Sequence, residues 1–222
     1  MGLRKRFFAL TYDRMSAKME EAGLADLRRR LLAEADGRVV EIGGGTGANL
    51  PYYGGEVVSL TITEPEPPML RRLERRVREH APHARVLRAP AEDLPFDDDS
   101  FDTAVSTLVL CGVDDQQRAL RELRRVLRPG GRLIFIEHVR ADDPRLARRQ
   151  DRLNGLNRFM VGCECTRPTL DSIEAAGFRV AEVEHRAMPL VFSFVRPLVV
   201  GTATAPVEVD QTVEPRATKT TS

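Results

Sequence analysis

Apolar residues along the chain form short continuous runs that alternate with longer stretches in which they recur at helical spacing. Short runs bounded by polar or glycine-containing segments predict buried strands, and the longer periodic stretches predict amphipathic helices. The predicted strands are residues 38–42, 57–63, 84–89, 101–110, 132–139, 178–186 and 189–201. The predicted helices are residues 11–35, 67–81, 114–127, 142–158 and 167–177.

This alternation of strands and helices predicts the fold class. Helices of this length between strands are typical of βαβ crossovers, which give a mostly parallel sheet covered by helices on both faces. The last two predicted strands have no helix between them, so they are expected to pair antiparallel at one edge. The sequence therefore predicts an α/β, three-layer sandwich with a seven-stranded, mostly parallel sheet and an antiparallel last strand.

Chain length and composition indicate one folded domain with less regular ends. The 222 residues are 42% hydrophobic, which is enough for a substantial core. Residues 1–10 are expected to be a flexible N-terminus, and residues 11–202 the domain. Residues 203–222 are rich in Thr, Pro and charge, which predicts a disordered tail.

Charge and hydropathy exclude several function classes. The formal net charge is +1, from 34 basic and 33 acidic side chains, so a nucleic-acid partner is not expected. There is no apolar run of about 18 residues and no signal peptide, which predicts a cytoplasmic protein without a transmembrane segment. The basic and aromatic start, "MGLRKRFF", leaves weak peripheral contact with an anionic membrane open.

Residue usage adds two expectations about the source and compartment. Three cysteines in a chain of this length favour a reducing compartment over a disulfide framework. The 31 arginines against three lysines are typical of a GC-rich bacterial genome. Nothing in the sequence sets the oligomeric state.

The candidate chemistry begins with a glycine-rich loop, "EIGGGTG", directly after the first predicted strand. In open α/β sheets ligands bind outside the carboxyl ends of the strands, so this loop occupies the expected ligand position. Gly43, Gly45 and Ala48 fit the dinucleotide-binding pattern, with Glu64 where a ribose-binding acid would lie. However, the carboxylate of Glu41 at the cleft mouth would repel a pyrophosphate and suits a cationic ligand.

The spacing Glu41-x-Gly43-x-Gly45-x-Gly47 resembles the first motif of the class I S-adenosylmethionine (SAM) methyltransferases. This resemblance implies a Rossmann-like fold in which the loop surrounds the methionine half of SAM, the co-substrate that becomes S-adenosylhomocysteine (SAH). The residues that it implies for SAM binding are Tyr12, Glu41, Gly43, Gly44, Gly45, Gly47, Asn49, Glu64, Pro65, Met69, Ala91, Glu92, Asp93, Ser106 and Thr107.

Individual roles follow from the same resemblance. Glu64 would accept hydrogen bonds from the ribose hydroxyls. An acid in "APAEDLPF" would bind the adenine amine, and Asp93 is preferred to Glu92 as that acid. Met69 would lie against the adenine or in the core. The backbone around Ser106 and Thr107 would contact the methionine amino group.

Segments outside these motifs resemble the small methyltransferase-like proteins that methylate alkyl thiols. The similarity spans about residues 11–202 and is carried by "STLVLCGVDD", "IEHV" and "GCECTRPTLDSIEAAGF". It implies a small-molecule methyl acceptor, with a thiol favoured. Two departures are the start "MGLRKRFFAL", where those relatives carry an apolar membrane anchor, and Gly44, where that family carries Cys.

Several alternatives to thiol methylation stay open at this point. The wider methyltransferase family includes enzymes that methylate N, O or C atoms of lipids, quinones or natural products. The Gly43-Gly45-Ala48 pattern leaves an NAD-dependent oxidoreductase open, and a SAM-binding protein without catalysis is the non-enzymatic alternative.

Few residues suggest themselves for catalysis or metal binding. His138 ends the fifth predicted strand and is either a base for the acceptor or a structural histidine. Tyr12 and Asp13 resemble a lid over SAM, in which Asp13 could assist catalysis or cap a helix. Cys163 and Cys165 lack a nearby histidine in sequence, so no metal site is predicted, and both are expected to line the substrate pocket or to pack beside it. Cys111 is expected to be a buried small hydrophobe.

Overall fold

Within residues 17–207, which the computed structural model describes, seven strands form one sheet. These strands are β1 (Gly37–Ile42), β2 (Val57–Thr63), β3 (Arg85–Leu87), β4 (Phe101–Thr107), β5 (Leu127–His138), β6 (Arg179–Ala187) and β7 (Pro197–Thr204). Their order across the sheet is β3-β2-β1-β4-β5-β7-β6. The pairs from β3 to β5 are parallel, and β7 runs antiparallel to both β5 and β6. The predicted mostly parallel sheet with an antiparallel last strand is thereby confirmed.

The helices connect the strands at the predicted places. They are α1 (Ala25–Leu32), α2 (Pro67–His80), α3 (Gln116–Val126), α4 (Pro144–Val161) and α5 (Thr169–Ala175). A π-helical segment, Glu20–Leu24, precedes α1, and a 3₁₀ turn, Leu50–Tyr52, follows the glycine loop. Asp115 and Asp143 cap α3 and α4, because their carboxylates accept hydrogen bonds from backbone N–H groups in the first turn. The predicted helix 11–35 is described from residue 17 onward.

Two hydrophobic cores lie on opposite faces of the sheet and make the three layers. Side chains of α3 and α5 cover one face, where Val40 and Phe135 are fully buried. Side chains of α1 and α2 cover the other face, where the strand neighbours Val39 and Ile134 are fully buried. Burial on both faces explains why the central strands read as continuous apolar runs in the sequence.

The final strand lies further along the chain than its apolar pattern predicts. Residues 189–196 form turns instead of strand, and Leu190 and Phe192 are 67% and 77% exposed. Pairing starts at Pro197, which has no N–H to donate and suits the first position of a strand. The predicted strand 189–201 is therefore wrong over its first eight residues.

The start of the predicted disordered tail is also corrected. Ala203 and Thr204 belong to β7, and Ala205 is buried. The N–H of Ala205 donates to the carbonyl of Gly131 at 2.8 Å, and the N–H of Gly130 donates to the carbonyl of Ala205 at 3.1 Å. These bonds continue the sheet beyond residue 202. Residues 208–222 lie outside the described part of the chain.

Candidate functional site

A cavity of about 580 Å³ lies at the carboxyl ends of the parallel strands. It opens between β1 and β4, where the strand order reverses, which is the position at which open α/β sheets bind ligands. It is lined by Gly43, Glu64, Pro65, Glu66, Pro68, Met69, Pro90, Ala91, Glu92, Leu108, Val109, Gly112, Val113, Asp114, Arg158, Phe159, Met160, Val161 and Gly162.

Close packing at the glycine loop explains why it carries so few side chains. Gly43 has φ +56°, and a Cβ there would lie 2.7 Å from both γ carbons of Val109. A Cβ on Gly44 would lie 2.3 Å from the Cγ2 of Ile62 on β2. The loop backbone therefore rests directly on its neighbours and can approach a ligand closely. The Cys of the resembling family would fit at position 44 only if Ile62 moved.

Glu64 follows β2 and faces the cavity while it organises the loops beside it. Its Oε2 accepts a hydrogen bond from the N–H of Gly45 at 2.8 Å, and its Oε1 accepts one from the N–H of Glu66 at 2.9 Å. The residue is 5% exposed, and this burial raises the pKa of the carboxyl above its ordinary value. The two backbone donors fix the carboxylate where a diol could meet its remaining lone pairs.

The raised pKa of Glu64 predicts a pH dependence of SAM binding. With the ribose role that the resemblance implies for Glu64, the hydroxyls would bind the ionised carboxylate best, so affinity should fall as the pH falls through the pKa of Glu64 in the free protein. The loss should approach about tenfold per pH unit below that pKa. Titration calorimetry with SAH between about pH 5 and about pH 8 would measure it. Glu64→Gln should flatten the slope of affinity against pH. An unchanged slope in this variant would show that another group causes the pH dependence.

Of the two acids predicted for the adenine end, the structure favours Glu92. Glu92 lines the cavity, and its Oε1 accepts hydrogen bonds from the backbone N–H groups of Asp114 at 2.8 Å and Asp115 at 3.3 Å. Asp93 is exposed and is not among the cavity-lining residues. The structure thus places Glu92, and not the preferred Asp93, in the cavity lining, and which of the two acids binds adenine stays a prediction.

This difference predicts unequal effects for two adjacent, chemically matched substitutions. Glu92→Gln should weaken SAH binding by roughly tenfold, the scale of one charge-assisted hydrogen bond. Asp93→Asn should leave the affinity within about twofold, because its side chain does not reach the cavity. The ratio of the two dissociation constants is the readout, and a larger loss in Asp93→Asn would restore the sequence-based assignment.

Glu41 lies under the loop in a buried polar network and does not line the cavity. Asn49 donates through Nδ2 to its Oε1 at 3.0 Å, and the Tyr53 hydroxyl donates to its Oε2 at 2.6 Å. Burial raises the pKa of Glu41, and it also raises the pKa of Tyr53. The carboxylate expected to face the ligand is therefore not part of the cavity lining. It holds the loop and the following turn on β1.

Arg28 extends this network to the N-terminal helix and was not identified from the sequence. Its Nη1 donates to Asn49 Oδ1 at 2.6 Å and to Thr107 Oγ1 at 3.0 Å, and its Nε donates to Glu20 Oε1 at 3.0 Å. The side chain is almost fully buried. One arginine therefore ties the helix, the glycine loop and the end of β4 together. A charged residue within the apolar stripe of α1 is the sequence signal that could have indicated it.

Glu137 is a buried acid that, like Arg28, was not assigned to the site from the sequence. Its Oε1 accepts hydrogen bonds from Ser106 Oγ at 2.7 Å and from the N–H groups of Val109 and Leu110, both at 3.0 Å. Its Oε2 accepts from the N–H of Cys111 at 3.3 Å. Glu137 therefore shapes the loop after β4 that forms one cavity wall.

His138 lies behind that wall, between two cysteines. Its Nδ1 is 3.5 Å from Cys111 Sγ and 3.4 Å from Cys163 Sγ, and it is not among the cavity-lining residues. The premise that the Cys163 segment has no histidine nearby is therefore wrong, because the chain brings His138 to it from β5. Cys165 does not line the cavity and is fully buried, and burial raises its pKa to about 11.

The other sequence-predicted positions divide into two groups. Pro65, Met69 and Ala91 line the cavity, as Gly43, Glu64 and Glu92 do. The residues of the second group do not line it, and they are Gly44, Gly45, Gly47, Asn49, Ser106 and Thr107. Tyr12 and Asp13 lie outside the described residues.

Residues 40–135 match the family described as "Methyltransferase domain". The chain belongs to the class I SAM-dependent methyltransferases and is an enzyme that uses SAM as its methyl donor. It is 32% identical to the human thiol S-methyltransferase TMT1A over 213 residues, which cover 89% of this chain and 82% of that protein. It is 30% identical to a phosphatidylethanolamine N-methyltransferase of Cereibacter sphaeroides over 73% of this chain and 84% of the relative.

A solved structure supports the same assignment. A SAM-dependent methyltransferase from Thermotoga maritima, described as a possible histamine N-methyltransferase, superposes with a TM-score of 0.67 at 27% identity. The match covers 92% of this chain and all of that chain. The predicted class and co-substrate are thereby confirmed, and the dinucleotide interpretation of the glycine loop is not needed.

The helices within residues 17–207 also bear on whether the chain crosses a membrane. None of the helices there combines the length and apolar character required to cross a bilayer. The basic and aromatic start of the chain lies outside those residues.

Proposed function

We propose that the enzyme transfers the methyl group of SAM to the sulfur of a small, largely apolar thiol. The observation that carries the proposal is an apolar wall in the same cavity as Glu64 and Glu92. This wall consists of Leu108, Val109 and Val113 after β4 and of Phe159, Met160 and Val161 at the end of α4. Phe159 and Met160 are 63% and 60% exposed, and clustered exposed apolar side chains commonly mark binding sites.

The relatives support sulfur as the acceptor atom. Besides human TMT1A, human TMT1B is named a thiol S-methyltransferase, and it is 36% identical over 78% of this chain and 73% of that protein. The N-methyltransferase relative keeps an amine acceptor as the alternative. A thiolate is the more reactive nucleophile in an apolar environment, because it is weakly solvated there.

The chemistry requires a short list of contributions from the protein. SAM supplies an electrophilic methyl group, and an in-line attack needs the sulfur within about 3–3.5 Å of that carbon. Glu64 and Glu92 would hold the nucleoside, while the loop after β4, fixed by Glu137, would position the acceptor beside the methyl group. The apolar wall would exclude water from the sulfur. The thiol proton leaves before or during the attack.

The origin of the thiolate makes a prediction about pH. The acids among the cavity-lining residues are Glu64, Glu66, Glu92 and Asp114, and Arg158 beside them pairs with Glu164 and Asp114. This lining contains no histidine that could accept the thiol proton. The value of kcat/KM should therefore rise with pH up to the acceptor's own thiol pKa, about 8.5 for an ordinary thiol. Two thiols of different acidity should give profiles displaced by their pKa difference. Superimposable profiles would instead identify a base on the enzyme.

Asp13, Tyr12 and His138 remain proposals for catalytic or lid roles. Because His138 lies behind the cavity wall, a direct proton transfer from the acceptor to its ring needs movement of that wall. Asp13→Asn and Tyr12→Phe test the lid: each should raise KM for SAM while the pH profile keeps its midpoint. A displaced midpoint in Asp13→Asn would make that residue the base.

The acceptor itself is tested with purified enzyme, SAM and a panel of small molecules. The panel contains alkyl thiols, matched primary amines, phenols and quinones, and mass spectrometry detects a product heavier by one methylene unit. Methylated alkyl thiol with little methylated amine of the same chain length is the expected result. Preferential methylation of the amine, phenol or quinone would replace the thiol proposal while leaving the SAM assignment intact.

We also propose that the enzyme works in the cytoplasm of a bacterium. The three cysteines are free, which suits a reducing compartment, and the arginine-rich composition suits a GC-rich genome. Fractionation of the native host, followed by immunodetection, tests the compartment. Recovery in the membrane fraction after a high-salt wash would contradict it.

A further inference from the structure

Three side chains of types that can bind metal ions come from distant parts of the chain and meet behind the apolar wall. Cys111 follows β4, His138 ends β5 and Cys163 follows α4, and their ligand atoms all lie within 4.8 Å of one another. Cys111 and His138 are buried, and Cys163 is partly buried. Two thiols and one imidazole are the ligand types that select zinc or a similarly soft transition metal.

The distances agree with a common metal centre. Zinc binds sulfur at about 2.3 Å and imidazole nitrogen at about 2.0–2.1 Å, so a tetrahedral ion places these donors about 3.5 Å apart. His138 Nδ1 is 3.5 Å from Cys111 Sγ and 3.4 Å from Cys163 Sγ. Both sulfur–nitrogen distances therefore already suit a tetrahedral ion, and the two sulfurs lie within 4.8 Å of each other.

The surrounding backbone keeps these ligands together. The N–H of Glu164 donates to the carbonyl of Cys111 at 2.8 Å, which joins the turn after α4 to the loop after β4. Asn157 donates through Nδ2 to the carbonyl of Cys163 at 2.7 Å, and Thr169 donates to the carbonyl of His138 at 3.1 Å. Each ligand residue thus has a backbone contact that helps to fix its position.

From this arrangement we propose that Cys111, His138 and Cys163 bind one Zn²⁺ ion through two thiolates and the imidazole Nδ1. Both thiol protons leave as the ion binds, so the affinity falls as the pH falls. Three protein ligands leave a fourth position for water or another ligand. The proposal is independent of the acceptor assignment, because it concerns metal content and not turnover.

The ion would also strengthen the cavity wall. Gly112 and Gly162, the chain neighbours of Cys111 and Cys163, both line the cavity, and a Cβ on Gly112 would lie 3.2 Å from the carbonyl oxygen of Gly162. Bound zinc would join these two segments by strong bonds at their closest approach. Removal of zinc should therefore lower the melting temperature by several degrees.

The proposal is tested by adding Zn²⁺ to the reduced, metal-free full-length protein, removing the excess and measuring zinc per chain. One ion per chain is expected. Cys111→Ala, His138→Ala and Cys163→Ala should each lower retention at least tenfold. Cys165→Ala and His185→Ala are the matched controls and should retain the ion, since neither residue belongs to the cluster. Wild-type zinc no higher than that of Cys111→Ala would overturn the proposal.

A second measurement needs no substitution, and it applies even if a variant fails to fold. Bound Zn²⁺ should slow alkylation of Cys111 and Cys163 in the wild-type protein at least tenfold relative to the metal-free form, as read by peptide mass. Substituted Co²⁺ should give a thiolate-to-metal charge-transfer band. Equal alkylation rates with and without zinc, or a stable Cys111–Cys163 disulfide in the zinc-loaded protein, would contradict metal binding.

Discussion

Glu64→Ala is expected to lower the affinity for SAM by at least about 100-fold. A carboxylate that accepts two hydrogen bonds from ribose hydroxyls contributes roughly 1.5–3 kcal/mol for each. The substitution also leaves the N–H groups of Gly45 and Glu66 without their acceptor, which loosens the loops on both sides of the nucleoside. Titration calorimetry with SAH measures the loss.

Two controls separate ligand binding from folding in that experiment. Glu64→Gln keeps one carbonyl acceptor and should fall between the wild-type protein and the Ala variant. Asp97→Ala alters an exposed acid outside the cavity lining and should bind normally. If Glu64→Ala is folded by circular dichroism and binds SAH within about threefold of wild type, the ribose role of Glu64 is incorrect.

The second large effect is expected for Glu137→Ala, and it is an effect on stability. The change removes a fully buried carboxylate that accepts four hydrogen bonds, three of them from backbone N–H groups of residues 109–111. Buried donors left without an acceptor cost about 1–3 kcal/mol each, so a loss of about 3–5 kcal/mol is expected. Urea denaturation measures this loss of stability. Methyl transfer should also fall, because the substitution would disorder the cavity wall.

Glu137→Gln is the matched control for this effect. Its carbonyl oxygen can still accept from Ser106, Val109 and Leu110, and only the contact with Cys111 is replaced by an amide N–H. The variant should lose less than half as much stability as Glu137→Ala. Equal stability of Glu137→Ala and the wild-type protein would show that the loop after β4 does not depend on this carboxylate.

The fold was predictable because its determinants are local and repeated. Buried parallel strands require apolar runs, and crossovers require amphipathic helices, so the order of elements could be read directly from the pattern. The apolar run 189–201 was misleading for the same reason. Its first half carries the exposed Leu190 and Phe192 at the surface, and a period-2 pattern cannot distinguish such a segment from a strand.

The donor side of the site was predictable where a motif determines the backbone. Gly43 and Glu64 follow strand ends, so their place in the cleft follows from topology. The choice between Glu92 and Asp93 could not be made, because the rotation of the backbone at one residue of the turn decides which carboxylate faces the cavity. Packing in three dimensions supplies that rotation, and the sequence pattern does not contain it.

Long-range partners account for what the sequence did not indicate. Arg28 in α1 reaches Asn49 after the glycine loop and Thr107 at the end of β4. Glu137 reaches a loop nearly thirty residues earlier in the chain. The Cys111, His138 and Cys163 cluster has no compact spacing in the chain, so metal-binding motifs do not detect it.

A crystal structure of the enzyme with SAH would show whether SAM binds at the carboxyl ends of β1, β2 and β4. In the expected placement, both ribose hydroxyls should lie on the carboxylate of Glu64, with adenine between Met69 and Ala91, its amine toward Glu92, and the sulfur toward Leu108. Electron density for SAH outside this cavity, or ribose hydroxyls bound by a residue other than Glu64, would contradict it.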